Sequence, residues 1–242
     1  MAICLFTDFG AGDLYAGQVE AVLERDAPGA RVIHLLHEAP PFDVRAAAHL
    51  LAALVTRIPT GQVVIGVVDP GVGTDRGAVA LRADASWYVG PDNGLFSVVA
   101  ARAAGREVWR LPAAGADAAP SFHGRDAFAP AAAAIATGRF PTAGATRAAD
   151  LEVRLDAADL SAIIYVDHYG NGWTGLRAAA IAPTRRLAVA GRELAHARVF
   201  GAVSPGTAFW YENSSGLVEI AVNGGSAARM LGLGIGTPVA LR

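Results

Sequence analysis

The sequence has little cysteine, little charge and no long apolar run, and each scarcity excludes a class of protein. Its one cysteine, Cys4, cannot form an internal disulfide, and its place in an apolar strand pattern predicts a buried small hydrophobe. A net charge of −2 and a pI near 6.3 give no basic field, so nucleic acid is not an expected partner. The apolar stretch at residues 46–55 is much shorter than the ~20 residues of a membrane span, so no membrane is expected either. No positively charged segment precedes the first strand pattern, which predicts a cytoplasmic protein.

The composition favours a globular enzyme with a sizeable core. Hydrophobic residues make up 53% of the 242 residues and charged residues 17%, against averages of about 45–50% and about 25%. The length fits either one large domain or one domain with a small companion, since domains usually span ~100–200 residues. The apolar content exceeds what a monomer of this length needs, which favours an oligomer.

Strand and helix patterns alternate through the first two-thirds of the chain. The first pair is an apolar strand at residues 2–6 and a helix at 13–26, in which Tyr15, Val19 and Leu23 recur at helical spacing. Such alternation predicts an α/β domain over residues 1–155, with a largely parallel sheet sandwiched by helices. From about residue 161 the pattern changes to short strands separated by glycine, proline and asparagine, which predicts a smaller antiparallel β-barrel domain over residues 156–242.

Polar motifs occur where apolar strands run into glycine. The four motifs are Thr7-Asp8-Phe9-Gly10, Asp69-Pro70-Gly71-Val72-Gly73-Thr74, Pro91-Asp92-Asn93-Gly94 and Phe122-His123-Gly124-Arg125-Asp126. A carboxylate or imidazole at the carboxyl end of a strand points into the crevice where open α/β sheets bind ligands. The four motifs therefore predict one composite site.

Three polar residues in or near these motifs each have a functional and a structural interpretation. Asp8 is placed to accept hydrogen bonds from both hydroxyls of a ribose, or else to cap a turn. The loop after Asp69 fits neither the dinucleotide-binding fingerprint nor the phosphate-binding loop. Arg76 either returns to pair with Asp69 or lies on the surface. His123, just before a predicted helix, either contacts a ligand or makes one structural hydrogen bond.

The sequence contains no convincing metal site. His34 and His37 form an HxxH pair, but alternation along a strand would send side chains three residues apart to opposite faces. We therefore expect the two rings not to share a metal ion.

The C-terminal third offers a second group of binding residues. Asn171 closes an apolar strand and turn, and its amide could read an adenine edge. The aromatic segment at residues 209–211 leads into the polar turn at 212–216, and it serves either core packing or the stacking of a base. A nucleoside with its ribose at one domain and its base at the other fits both halves of the chain.

Five segments, read in order, closely resemble the S-adenosyl-L-methionine (SAM) hydroxide adenosyltransferases. They are Thr7-Asp8-Phe9-Gly10 with Asp13 and Tyr15, Val67-Val68-Asp69-Pro70-Gly71-Val72-Gly73-Thr74, Pro91-Asp92-Asn93-Gly94-Leu95, Phe122-His123-Gly124-Arg125-Asp126 and Tyr211-Glu212-Asn213-Ser214-Ser215-Gly216. These SAM hydrolases are the water-using relatives of the fluorinase and chlorinase enzymes. The resemblance spans nearly the whole chain. It implies conversion of SAM and water to adenosine and L-methionine, by attack at the ribose 5′ carbon, in a homotrimer with sites between subunits.

The resemblance also implies roles for individual residues and no cofactor, because SAM is the substrate. The implied catalytic residues are Asp69, Arg76 and His123. The implied substrate-binding residues are Asp8 and Phe42 at the ribose, Asp13 and Asp167 near the methionine amino group, Asn171 and Phe200 at the adenine, and Ser214, Glu219 and Val222 around the adenosine or amino acid.

Three positions separate the hydrolases from their halogenating relatives. Those relatives carry tyrosine in place of Asp69, a hydroxyl residue in place of Val72 and serine in place of Gly124, so this chain resembles the water-using branch. Two alternatives remain: a SAM or adenosine sensor without turnover, and a SAM halide adenosyltransferase. The first would bind without producing adenosine, and the second would give a halogenated adenosine.

Overall fold

A computed structural model describes residues 1–113, 115 and 117–242. The chain divides into two compact units. The first comprises Met1–Ala52 and Ile58–Asp156, and the second comprises Ala53–Arg57 and Ala157–Arg242.

A seven-stranded sheet forms the centre of the first unit. Its strands are β1 (Ile3–Thr7), β2 (Val32–Leu36), β3 (Val63–Val67), β4 (Ala78–Ala83), β5 (Ser86–Pro91), β6 (Arg106–Arg110) and β7 (Thr146–Ala148). They lie in the order β2-β1-β3-β5-β4-β6-β7. Every residue of β1 and β3 is buried, as their uninterrupted apolar sequences require.

The sheet is mixed, so the prediction of a largely parallel sheet is wrong. β2, β1, β3 and β5 run parallel, whereas β4, β6 and β7 pair antiparallel. The cause is the short connection between β4 and β5, where Asp84 adopts a φ of 51°. Two residues can join antiparallel strands but cannot make a parallel crossover, which needs a dozen or more.

In the described residues, the N-terminal part of the chain has four α-helices. They are α1 (Tyr15–Asp26), α2 (Val44–Leu54), α3 (Ser97–Arg102) and α4 (Ala129–Ala136). A π-helical turn, Gly124–Phe128, leads directly into α4. Val19 and Leu23 of α1, Phe128 of the π-helical turn and Ala132 of α4 are buried in one core with β1 and β3. Among the described residues, no helix is both long and apolar enough to cross a membrane.

The second unit contains two antiparallel sheets and one short helix. Its elements are β8 (Leu160–Val166), β9 (Gly172–Arg177), β10 (Leu187–Val189), β11 (Arg192–Leu194), β12 (Ala208–Glu212), β13 (Leu217–Val222), α5 (Ala227–Leu231) and β14 (Val239–Leu241). The sheets have the orders β11-β10-β14 and β12-β13-β9-β8.

The predicted β-barrel is not closed in the part of the chain that the structure describes. The isolated pairs Ala162–Pro238 and His196–Trp210 link the two sheets without a continuous ladder. The physical reason is strand length, because β10, β11 and β14 have three residues each and cannot extend their pairing further. Trp210 and Val218 pack between the sheets in a single core.

Candidate active site

The first unit has a cavity of about 300 Å³ where β1 and β3 end. We call it the N-terminal cavity. It is lined by Asp8, Phe9, Tyr15, Pro41, Phe42, Val67, Asp69, Val72, Ser121, Phe122, His123 and Gly124. β1 and β3 are neighbouring parallel strands. Asp8 and Asp69 follow the ends of these strands, so they lie at the same edge of the sheet. The predicted residues Asp8, Phe42, Asp69 and His123 thus come together in one cavity.

Asp69 and Arg76 form a buried ion pair beside this cavity. Nε of Arg76 donates to both carboxylate oxygens of Asp69 at 3.0 Å, and Nη2 contacts Oδ2 as well. The side chains are only 4% and 11% exposed, respectively. Arg76 therefore holds the carboxylate in a fixed orientation, as a guanidinium fork can do. Of the two interpretations of Arg76, the structure shows the paired one.

His123 completes the cluster through the same arginine. Its Nδ1 lies 2.9 Å from Nη2 of Arg76. A guanidinium can only donate, so Nδ1 accepts, and the neutral ring carries its proton on Nε2. Burial, and then the positive charge of Arg76, lower the pKa of His123 below its ordinary value. The cluster thus favours a neutral histidine that offers an Nε2–H donor.

Asp8 lines this cavity together with Phe42. The backbone N–H of Phe42 donates to Oδ2 of Asp8 at 3.4 Å. Phe42 adopts a φ of 61°, which is unusual for an aromatic residue, and its side chain is exposed. Burial raises the pKa of Asp8, although the hydrogen bond from Phe42 opposes the shift. A carboxylate and an aromatic side chain therefore flank the same edge of the cavity.

Three aromatic rings form one wall of the cavity. The sequence had suggested no role for this wall. Phe9, Tyr15 and Phe122 pack in a triangle with ring centroids 5.3 to 5.7 Å apart. A Cβ atom on Gly124 would lie 3.1 Å from Phe9, so glycine lets this wall approach the π-helical turn. The signal was present in the sequence, since Phe9 and Phe122 belong to the polar motifs.

The expectation that His34 and His37 lie apart is wrong. Nδ1 of His34 is 2.6 Å from Nε2 of His37, whose Nδ1 lies 2.8 Å from the hydroxyl of Thr7. His37 follows the end of β2, so strand alternation does not apply to it. Among the described residues, no group of three or more histidine, cysteine, aspartate or glutamate side chains could hold a metal ion.

Asp13 does not line the N-terminal cavity. It is exposed, and its Oδ1 accepts a hydrogen bond of 2.6 Å from the backbone N–H of Leu14. Among the described residues, the side chain bonds only to the backbone just before α1, which has no side-chain N-cap.

The second unit has its own cavity, of about 650 Å³. We call it the C-terminal cavity. Its lining residues are Asp167, Tyr169, Asn171, Trp173, Phe200, Tyr211, Asn213, Ser214, Glu219, Val222, Gly224 and Gly225. All six residues that the resemblance assigned to this half of the chain are among them. Sequence reasoning gave no role to Trp173, and it left the aromatic segment that contains Tyr211 open between core packing and the stacking of a base.

Asp167 organises the turn that presents Asn171. Its carboxylate accepts hydrogen bonds from the backbone N–H groups of Tyr169 and Asn171, at 3.0 and 2.8 Å. It also accepts one from the Asn171 side-chain amide at 3.1 Å. That amide is thereby oriented, and its carbonyl oxygen stays available as an acceptor.

Glu219 is a buried carboxyl group in the wall of the C-terminal cavity. Its residue is 1% exposed, and the hydroxyl of Tyr211 donates to its Oε1 at 2.5 Å. Burial raises the pKa of Glu219, and the hydrogen bond from Tyr211 opposes that shift. Nearby, Oδ1 of Asn213 accepts from the backbone N–H groups of Ser215 and Leu217, which fixes the turn after β12.

The fold of this chain is shared with proteins of known structure. A conserved protein from Thermotoga maritima superposes with a TM-score of 0.88 at 32% identity, over 99% of both chains. A conserved protein from Thermus thermophilus superposes with a TM-score of 0.80 at 39% identity, over 100% of this chain and 99% of that one.

The chain belongs to the SAM hydroxide adenosyltransferase family. Residues 3–144 match the model of the family's N-terminal domain, and residues 161–240 match that of its C-terminal domain. It is 40% identical to an (R)-S-adenosyl-L-methionine hydrolase of Thermus thermophilus, over 99% of this chain and 98% of the relative. A hydrolase of the same name from Salinispora tropica is 39% identical, over 96% of this chain and 94% of the relative.

Proposed function

We propose that this protein hydrolyses SAM to adenosine and L-methionine. The observation that supports this most strongly is the hydrogen-bonded cluster of Asp69, Arg76 and His123, of which Asp69 and His123 line the N-terminal cavity together with Asp8. The relatives that match nearly its whole length are named as (R)-SAM hydrolases. Their name also leads us to propose the R configuration at the sulfonium as the preferred substrate.

In this proposal the cluster acts on water and Asp8 on the ribose. Asp8 accepts hydrogen bonds from the ribose hydroxyls, and Phe42 lies against the sugar. Asp69 accepts a hydrogen bond from the water, whereas His123 donates one through Nε2–H. The cluster thus orients a water lone pair toward the ribose 5′ carbon, which is the contribution that positioning makes to a displacement.

The proposed reaction is one displacement in which charge and atoms balance. The water oxygen forms a bond to the 5′ carbon as the carbon–sulfur bond breaks, and the electron pair of that bond neutralises the sulfonium. Methionine leaves as a neutral thioether, so no acid has to protonate it. The water loses one proton toward Asp69, whose buried carboxylate Arg76 holds in place, and this proton then passes to solvent.

The C-terminal cavity is proposed to bind the remainder of the substrate. Asn171, Phe200 and Val222 would hold the adenine, and Asp167, Ser214 and Glu219 the rest of the nucleoside and the amino acid. Asp13 is proposed to act near the methionine amino group. We further propose a homotrimer in which each site uses the N-terminal unit of one subunit and the C-terminal unit of another. The cytoplasmic location stays a prediction.

Chromatography of reactions with purified protein tests this proposal and its alternatives. With SAM alone, adenosine and methionine should appear in equal amounts, faster with the R than with the S epimer. Binding of SAM without either product would identify a sensor instead. Formation of a halogenated adenosine after addition of chloride or fluoride would identify a halide adenosyltransferase.

A further inference from the structure

The carboxyl group of Glu219 is unusual among the residues of the C-terminal cavity. It belongs to β13, in which every residue is buried, yet it lies in the wall of an open cavity. A buried charged carboxylate is costly unless it is hydrogen-bonded and meets a positive charge. Its direct hydrogen bond from the neighbouring strand comes from Tyr211, which pairs with it across β12 and β13.

The ionisable groups around Glu219 do not supply that positive charge. On β12 the facing group is Tyr211, and beyond the end of β8 it is Asp167, whose negative charge raises the pKa of Glu219 further. On β9 the residue paired with Glu219 is Trp173, whose side chain carries no charge. The described lining of the cavity contains two carboxyl groups, four aromatic residues and no basic side chain. Such a lining is complementary to an organic cation.

We infer that Tyr211 is a positioning residue that keeps Glu219 ionised and oriented, so that this carboxylate binds the α-ammonium group of the amino-acid part of the substrate. The inference rests on the proposed function. Tyr211 donates to Oε1, and the side chains of Asn213 and Asn171 also hydrogen-bond this carboxylate, which lines the cavity. A neutral adenine amino group could not offset the charge of the buried carboxylate, whereas an ammonium group can. Tyr211 thus acts on substrate affinity through Glu219.

Calorimetric titration of Tyr211→Phe with SAM and with adenosine tests the inference. Loss of a hydrogen bond to a charged group should weaken SAM binding about tenfold or more at neutral pH. Adenosine has no ammonium group, so its affinity should stay within about twofold of the unmodified protein's. An equal loss for both ligands, or no loss for either, would overturn the inference.

The pH dependence separates positioning from a general structural defect. Removing a donor to the ionised form raises the pKa of Glu219, so Tyr211→Phe should recover SAM affinity as the pH rises. Glu219→Gln removes the charge, and it should bind SAM weakly at every pH tested. If Tyr211→Phe shows the same relative loss across the pH range, the hydroxyl does not act through ionisation of Glu219.

Two further measurements keep the outcome interpretable. Tyr88→Phe removes a buried tyrosine hydroxyl from β5, outside this cavity, and should leave affinity for both ligands unchanged. The affinities are measured separately from the hydrolysis rate. If the unmodified protein forms no adenosine but Tyr211→Phe still weakens SAM binding more than adenosine binding, the proposed hydrolysis is contradicted and the role of Tyr211 is supported. If Tyr211→Phe does not fold, Glu219→Gln still tests the cation preference through its ratio of SAM to adenosine affinity.

Discussion

Asp69 is the residue on which the proposed chemistry depends most. Its carboxylate is 4% exposed and accepts hydrogen bonds from Arg76, so it has a fixed orientation toward the cavity. Asp69→Asn keeps its size but removes its charge. We expect kcat to fall about 10²- to 10⁴-fold, the usual effect of removing a general acid or base. The affinity for SAM should stay within about threefold of that of the unmodified protein, as expected for a residue that acts on the proton. Steady-state kinetics together with calorimetry measure both quantities.

Two other aspartates serve as comparisons for this variant. Asp75→Asn changes an exposed carboxylate in the same loop and should leave kcat unchanged. Asp8→Asn should instead weaken the binding of SAM and adenosine alike, by about 1.5–3 kcal/mol for charged hydrogen bonds. If Asp69→Asn loses affinity as strongly as Asp8→Asn does, their proposed roles have been misassigned.

His123 gives the reaction an expected pH dependence. Its Nδ1 accepts a hydrogen bond from Arg76, and protonation of the ring would place a second donor against that guanidinium. Because burial and Arg76 lower its pKa, the neutral, active form should persist to a pH below the ordinary histidine value of about 6.5. Activity should therefore be constant near neutrality and fall only in more acidic solution. A pH profile of kcat in which activity falls as the pH rises through 7, at about the ordinary range of histidine, would contradict this assignment.

At the scale of elements, the backbones of β3 and β5 approach each other so closely that only glycine fits at one position, and a substitution there tests this packing. A Cβ atom at Gly90 in β5 would lie 2.2 Å from the backbone carbonyl oxygen of Gly66 in β3. Gly90→Ala must therefore force these strands apart, and we expect a loss of about 1–3 kcal/mol in the free energy of unfolding. Chemical denaturation measures it. Gly105→Ala is the matched control, since a Cβ there meets nothing within 4 Å. Equal stability of the two variants would show that the strands are less tightly packed than described.

The sequence predicts the elements better than their pairing. Uniformly apolar segments gave β1 and β3, and their ends located Asp8 and Asp69 correctly. The direction of a strand depends on the geometry of its connections, which local sequence patterns do not specify. For that reason the antiparallel direction of β4 was not predicted. The contact between His34 and His37 was missed for a related reason, because it depends on where β2 ends. The hydrogen bond from Tyr211 to Glu219 was missed, because the aromatic pattern suggested core packing or base stacking and does not show which residue lies opposite on the next strand.

At the scale of the whole molecule, the two groups of proposed binding residues lie in different units of the chain. The N-terminal cavity contains Asp8 and Asp69, whereas the C-terminal cavity contains Asn171 and Glu219. If sites are shared between subunits, a mixture of Asp69→Asn and Asn171→Ala proteins should regain activity that neither has alone. The intact sites would combine an unmodified N-terminal unit with an unmodified C-terminal unit from another chain.

Sedimentation of the same samples provides the control for this mixing experiment. Recovery of activity should require exchange of subunits, so it should appear only after the mixture has been dissociated and reassociated. A fully active monomer, or no recovery in verified mixed trimers, would exclude shared sites even if SAM hydrolysis is correct.

The most direct test of the central claim is a reaction of the protein with SAM in isotopically labelled water. Attack of water at the ribose 5′ carbon predicts adenosine that carries one labelled oxygen, at its 5′ position, together with unlabelled methionine in equal amount. Mass spectrometry of both products gives the answer. Unlabelled adenosine, or no adenosine from a folded protein that binds SAM, would contradict hydrolysis at this site.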